Sequence, residues 1–149
     1  MKLEVITETL TNLDIAERQL ERSIQLFLEE KDYISALTLA GAAEEILGKL
    51  LNKKDETHAL SESIEACLKL NGINEHSSKS EIKKSEKGIA NIANYYKNRV
   101  KHFNDEESLT FSVDFFAAEV IERAIDNYCK YTQKETPQIV RFKNQILLE

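Results

Sequence analysis

Three side chains that could handle a phosphodiester stand close together near residue 100: Asn98, Arg99 and His102, with Lys97 and Lys101 between and beside them. If a helix persists through this stretch, Asn98 lies four residues and Arg99 three residues before His102, so all three share a face. An imidazole can take or give a proton near neutral pH, and fixed cations beside it can hold a phosphate. Moving the proton of a ribose hydroxyl while gripping the adjacent phosphate is general acid–base chemistry of this kind. The same residues at the end of a helix would also be favoured simply by the negative end of its dipole.

The surrounding charge is uneven. Lys79, Lys83, Lys84, Lys87, Lys97, Arg99 and Lys101 stand against only Glu81 and Glu86. That local balance of +5 leaves −11 for the rest of a chain whose net charge is −6. A general nucleic-acid binder is disfavoured by the total, whereas an anionic ligand confined to one basic face is compatible with the distribution. Lys84, Lys87, Arg99 and Lys101 are the candidate RNA contacts.

Other chemistries lack their residues. There is no phosphate-binding glycine loop, no dinucleotide fingerprint, no nucleophile elbow and no Glu-x-x-His pair of a di-iron bundle. Cys67 and Cys129 are isolated and read as small core residues rather than metal ligands or a disulfide. His58 and His76 lie in polar boundary segments and read as bystanders. No metal and no cofactor is expected.

The elements that must position the candidate residues are helical. Four glycines and one proline in 149 residues leave few turn breakers, and Leu, Ala, Glu, Lys and Ile favour helices. The length predicts one all-α domain over 1–149, a bundle of four to six helices in an up-down arrangement. Leu10, Leu13, Leu20, Ile24 and Phe27 predict a first amphipathic helix running to about Glu30. Asp32 caps a second from Tyr33 to about Asn52, with Ile34, Leu37, Ala40, Gly41, Glu44, Leu47 and Leu51 on one side. Its Ala40-Gly41-Ala42-Ala43 turn invites the close approach of another backbone, and Glu44 is a candidate buried carboxylate or a residue at the edge of the stripe.

A third helix spans Thr57 to Leu70 and stops at Asn71-Gly72. Ser78 to Glu81 reads as a capping box opening a fourth, with Ile82, Ile89, Ile92, Tyr96, Val100 and Phe103 as its seam. After a break at Asn104 to Ser108, a long fifth helix, roughly Phe111 to Thr132, carries a wide apolar arc. Thr136-Pro137 opens a short last helix with Ile139, Phe142 and Ile146 inward. No stretch approaches the ~18 apolar residues of a membrane span and the first ten residues lack a signal-peptide core, so a cytoplasmic protein without membrane attachment is expected.

Lys97-Asn98-Arg99-Val100-Lys101-His102 resembles the motif of the HEPN superfamily (higher eukaryote and prokaryote nucleotide-binding domains): Arg, a polar residue often Asn, three variable residues, then His. The small-residue helix "ALTLAGAAEEILGKLL" and the long helix after the motif are similar to the family's layout. The resemblance implies an all-α homodimer with two motifs facing each other across a cleft. It also implies a metal-independent endoribonuclease of the kind found in toxin–antitoxin pairs and phage defence, with an antitoxin or other protein as a further partner. Carried over, His102 would take part in proton transfer at the 2′-hydroxyl, Asn98 would orient the site and Lys97 would hold the scissile phosphate. Lysine keeps the charge of the usual arginine but not its bidentate fork; Arg99 supplies a guanidinium if the chain turns there. The alternatives are a non-catalytic HEPN-like module binding RNA, a nucleotide or a partner protein, and an unrelated helical scaffold that binds through the arc of its fifth helix.

Overall fold

The computed structural model describes residues 4–106 and 108–148; Glu107, inside the expected break, and residues 1–3 and 149 lie outside that range. All regular structure in it is helical: α1 (Asn12–Gln25), α2 (Tyr33–Lys53), α3 (Ala59–Leu70), α4 (Lys79–Arg99), α5 (Val113–Thr132) and α6 (Pro137–Phe142). The expected all-α bundle is what the chain forms. Among the described residues no helix is long and apolar enough to cross a membrane.

Local chemistry explains most boundaries. Thr11 opens α1 with a reciprocal box, its hydroxyl accepting from the Asp14 N–H while the Asp14 carboxylate accepts from the Thr11 N–H at 2.8 Å. Asp32 caps α2 through the Ser35 N–H, and Thr136 with Pro137 behind it caps α6 through Ile139. Gly72 (φ 73°) supplies the left-handed residue beyond α3. Ser78 accepts from the Glu81 N–H, so only the hydroxyl half of the expected box forms.

Two helices end by widening. Leu26–Glu30 and Lys143–Leu147 continue α1 and α6 as single π turns, which periodicity did not indicate. At the first, the Leu26 carbonyl accepts from both Lys31 and Asp32, and Lys31 is held left-handed at φ 54°. The two-residue link then folds α2 back along α1, and the buried Ser23 hydroxyl donates to the Ala36 carbonyl at 2.8 Å.

The core belongs to four helices. Leu20 and Ile24 of α1, Leu37 and Leu47 of α2, Ile121 and Ile125 of α5, and Ile139 and Phe142 of α6 are all essentially inaccessible. α2 and α5 share the most extensive contact, with α1 next against α2. The wide arc of α5 is therefore largely consumed inside the chain rather than left as a docking face.

α3 and α4 stand apart from this core and pack chiefly on each other. α3 buries only Ala59 and Leu68, and the single buried residue of α4 is Lys97. Several expected inward residues are outside: Ile34 and Leu10 are substantially exposed, and Ile92 and Phe103 are 76% and 93% exposed. Ile146 is also partly exposed, and Cys67 and Cys129 are half-buried free thiols. The seam of α4 holds best at its C-terminal end, where Val100 packs against the core and Tyr96 stacks on Phe111 at 4.5 Å and meets Phe116 at 4.2 Å.

Lys31 carries a left-handed backbone that costs a side-chain-bearing residue about 1 kcal/mol or more. Lys31→Gly should therefore raise unfolding stability by about 1 kcal/mol in urea titrations, since the side chain is exposed. Unchanged or lower stability would contradict the assignment of that turn.

Candidate functional site

Residues 97 and 98 are neighbours in sequence but face different environments, because one step along a helix turns the side chain by about 100°. Lys97 points inward and is 8% exposed; Asn98 is exposed. The stem of Lys97 crosses α2 at Gly41. A methyl group placed on Gly41 would lie 2.8 Å from both Cγ and Cδ of Lys97. The small-residue turn of α2 thus admits a lysine side chain, where a backbone was expected.

Beyond Gly41 the ammonium of Lys97 meets the carboxylate of Glu44 at 3.2 Å. Arg123 of α5 grips the same carboxylate with two groups, Nε to Oε1 at 2.7 Å and Nη2 to Oε2 at 3.3 Å. Glu44 is 4% exposed. It is the buried carboxylate of the two options for that position, and it serves two cations. Asn127 completes the junction: its Nδ2 donates to the Glu44 carbonyl at 3.4 Å, and its Oδ1 accepts from the Ala59 N–H at 2.7 Å, at the start of α3.

Lys97, to which the resemblance assigned the scissile phosphate, lies buried against Glu44 rather than open to the groove of Asn98 and His102. Its charge is already balanced inside the protein, and withdrawing it would strand Glu44 with one cation fewer in a desolvated setting. His58 is also more than a bystander: its Nδ1 accepts from the Ser61 N–H at 3.3 Å and caps α3. His76 remains exposed beside Glu75.

The remaining motif residues do converge. Asn98, Arg99 and His102 line one groove of about 310 Å3 together with Tyr95, Phe103 and Asn104. Although α4 ends at Arg99, the His102 N–H still bonds to the Asn98 carbonyl at 3.1 Å, an α-type bond that carries the helical path one step further. His102, Lys101 and Phe103 are exposed.

Arg99 is the cation facing this groove. Its Nη2 lies 3.3 Å from Glu106, a contact whose carboxylate is 62% exposed, while its Nε is buried and has no partner among the described residues. Such a long, half-solvated pair is weak and readily exchanged for another anion. Counting back by helical turns from Asn98, Asn91, Lys87 and Lys84 fall on the same exposed side of α4. Cations and amides therefore extend along about 21 Å of helix from Lys84 to Asn98, at 1.5 Å per residue.

Among the described residues no group of three or more His, Cys, Asp or Glu is placed to hold a metal ion. Comparison with protein-family models, with curated proteins and with solved structures finds no match to this chain.

Gly41→Ala tests the threading of Lys97. Alanine gains up to ~1 kcal/mol of helix propensity, but the overlap falls on the mid-stem of a pinned side chain, and overpacking of this kind costs about 1–3 kcal/mol. The variant should be less stable than the wild type in denaturant unfolding; a more stable variant would show that Lys97 is not held there.

Proposed function

We propose that this protein is a HEPN-like homodimer that acts on single-stranded RNA through the groove at the end of α4, as a metal-independent endoribonuclease. The observation that carries this reading is the meeting of Asn98, Arg99 and His102 with Tyr95 and Phe103 in one solvent-facing groove, at the end of a helix whose exposed side bears Lys84 and Lys87. Aromatic faces beside a basic track suit unpaired bases joined by phosphates.

The chemistry uses these residues directly. His102 takes the proton of a ribose 2′-hydroxyl; the 2′-oxygen attacks the adjacent phosphorus, the bond to the 5′-oxygen breaks, and that oxygen receives a proton. The products are a 2′,3′-cyclic phosphate and a 5′-hydroxyl. Arg99 holds the non-bridging oxygens in place of Glu106, and Asn98 orients the ribose. In a dimer the second His102 serves as the acid. A place in a toxin–antitoxin pair or phage-defence system, with a protein antitoxin, follows from the same resemblance.

Two observations favour a second reading. Lys97 is committed to Glu44, and only 12% of the Arg99 side chain is exposed, which suits a module that binds RNA without cutting it.

The deciding experiment is incubation of a mixed RNA pool with purified protein in excess chelator, alongside His102→Ala, with melting temperatures of both. Wild-type cleavage leaving cyclic phosphate ends, reduced ~10²-fold or more in the variant at unchanged melting temperature, is the expected result. RNA binding without cleavage would select the second reading, and no binding by either would remove both.

A further inference from the structure

On the other side of α4 a second concavity opens where the α3–α4 hairpin stands off α5. It is an open groove of about 660 Å3. Its floor is apolar, formed by Leu60, Ala66, Ile89 and Ile92. Ile92 is 76% exposed there, a large aliphatic side chain left in water in the middle of a long helix.

One wall has a single sign. Glu119, Glu122 and Asp126 of α5 line the groove at intervals of three and four residues, which places them on one face over about 10 Å. None of the three has a basic group within salt-bridge distance among the described residues. Arg123 lies between them in sequence, but its guanidinium is turned onto Glu44. The facing Glu62 of α3 is already held by Lys130 at 2.6 Å. Partial burial, followed by the repulsion of Asp126 and Glu119, raises the Glu122 carboxyl above its ordinary range. Burial likewise raises Asp126, with Lys143 opposing and Glu62 reinforcing the shift. These carboxylates would be relieved by an incoming cation.

We propose that the groove between α3, α4 and α5 is the docking site for a basic amphipathic helix of a partner protein, its apolar side on Ile89 and Ile92 and its lysines or arginines on Glu119, Glu122 and Asp126. Charge complementarity selects the occupant. An anionic strand is repelled by this wall, whereas a helix with apolar residues on one edge and cations three and four residues apart matches both floor and wall. The site is separate from the RNA groove and does not depend on it.

The test is fluorescence anisotropy of a labelled two-to-four-turn Leu/Lys amphipathic peptide titrated with the full chain, with a Leu/Glu peptide of the same pattern beside it. Saturable binding of the Leu/Lys peptide alone is expected. It should weaken at least tenfold in Glu119→Lys/Glu122→Lys/Asp126→Lys and in Ile92→Asp, all surface changes whose folding is checked by melting. Glu4→Lys/Asp55→Lys/Asp105→Lys makes the same change in net charge at exposed positions outside the groove lining and should bind as the wild type does. Three results would overturn the proposal: no saturable binding, equal loss in the two charge-reversed variants, or sedimentation showing that the groove variants turn a dimer into monomers, since the occupant would then be a second copy of this chain.

Discussion

A single buried carboxylate organises the half of the molecule that holds the candidate groove. Glu44 on α2 holds Lys97 of α4 and Arg123 of α5 at once, and the backbone carbonyl of the same residue receives Asn127. Four helices meet at this junction, because Asn127 also takes the first N–H of α3. Removing one member of a buried ion cluster leaves an uncompensated charge out of water, at a cost of about 3–5 kcal/mol. The apolar core of α1, α2, α5 and α6 would survive such a change, but α3 and α4 contribute little to that core. Their placement rests on the Glu44 cluster and on the aromatic contact of Tyr96 with Phe111 and Phe116.

The orientation of α4 follows from that anchor. With Lys97 facing inward, the helical turn per residue delivers Asn98 to solvent, aligns Lys84, Lys87 and Asn91 with it, and leaves Ile89 and Ile92 toward α3 and α5. Two surfaces of opposite character result on one helix: a basic groove with aromatic sides, and an apolar trough with an acidic wall. Lys84, Lys87 and Arg99 lie on or beside the first, whereas Lys97 is balanced inside the protein by Glu44.

Local signals carried the helices well, because they act within a few residues. Asp32, Asn71-Gly72 and Thr136-Pro137 end or begin helices for reasons visible in four-residue windows. Periodicity was less informative for α4, since it marks an apolar stripe without saying which part has a partner; Ile92 and Phe103 have almost none. The π turns at Leu26–Glu30 and Lys143–Leu147 are single wide turns that the apolar periodicity does not mark. In the candidate site, Asn98, Arg99 and His102 were legible from their spacing. The commitment of Lys97 was not, since Glu44 lies 53 residues and Arg123 a further stretch of chain away, 79 residues from Glu44. Gly41 was the available clue, a glycine inside a helix that required a close neighbour; nothing near it in sequence named the neighbour as a lysine.

The division of labour between adjacent cations is the central claim, and binding of a short fluorescent single-stranded RNA to Arg99→Ala and Lys97→Met measures it most directly, with thermal melts of each. At least tenfold weaker binding is expected for Arg99→Ala with the protein still folded at the assay temperature, and a lowered melting temperature for Lys97→Met with RNA binding retained while the protein is folded. Weakened binding by Lys97→Met at wild-type stability, with Arg99→Ala behaving as the wild type, would contradict it and return the phosphate to Lys97.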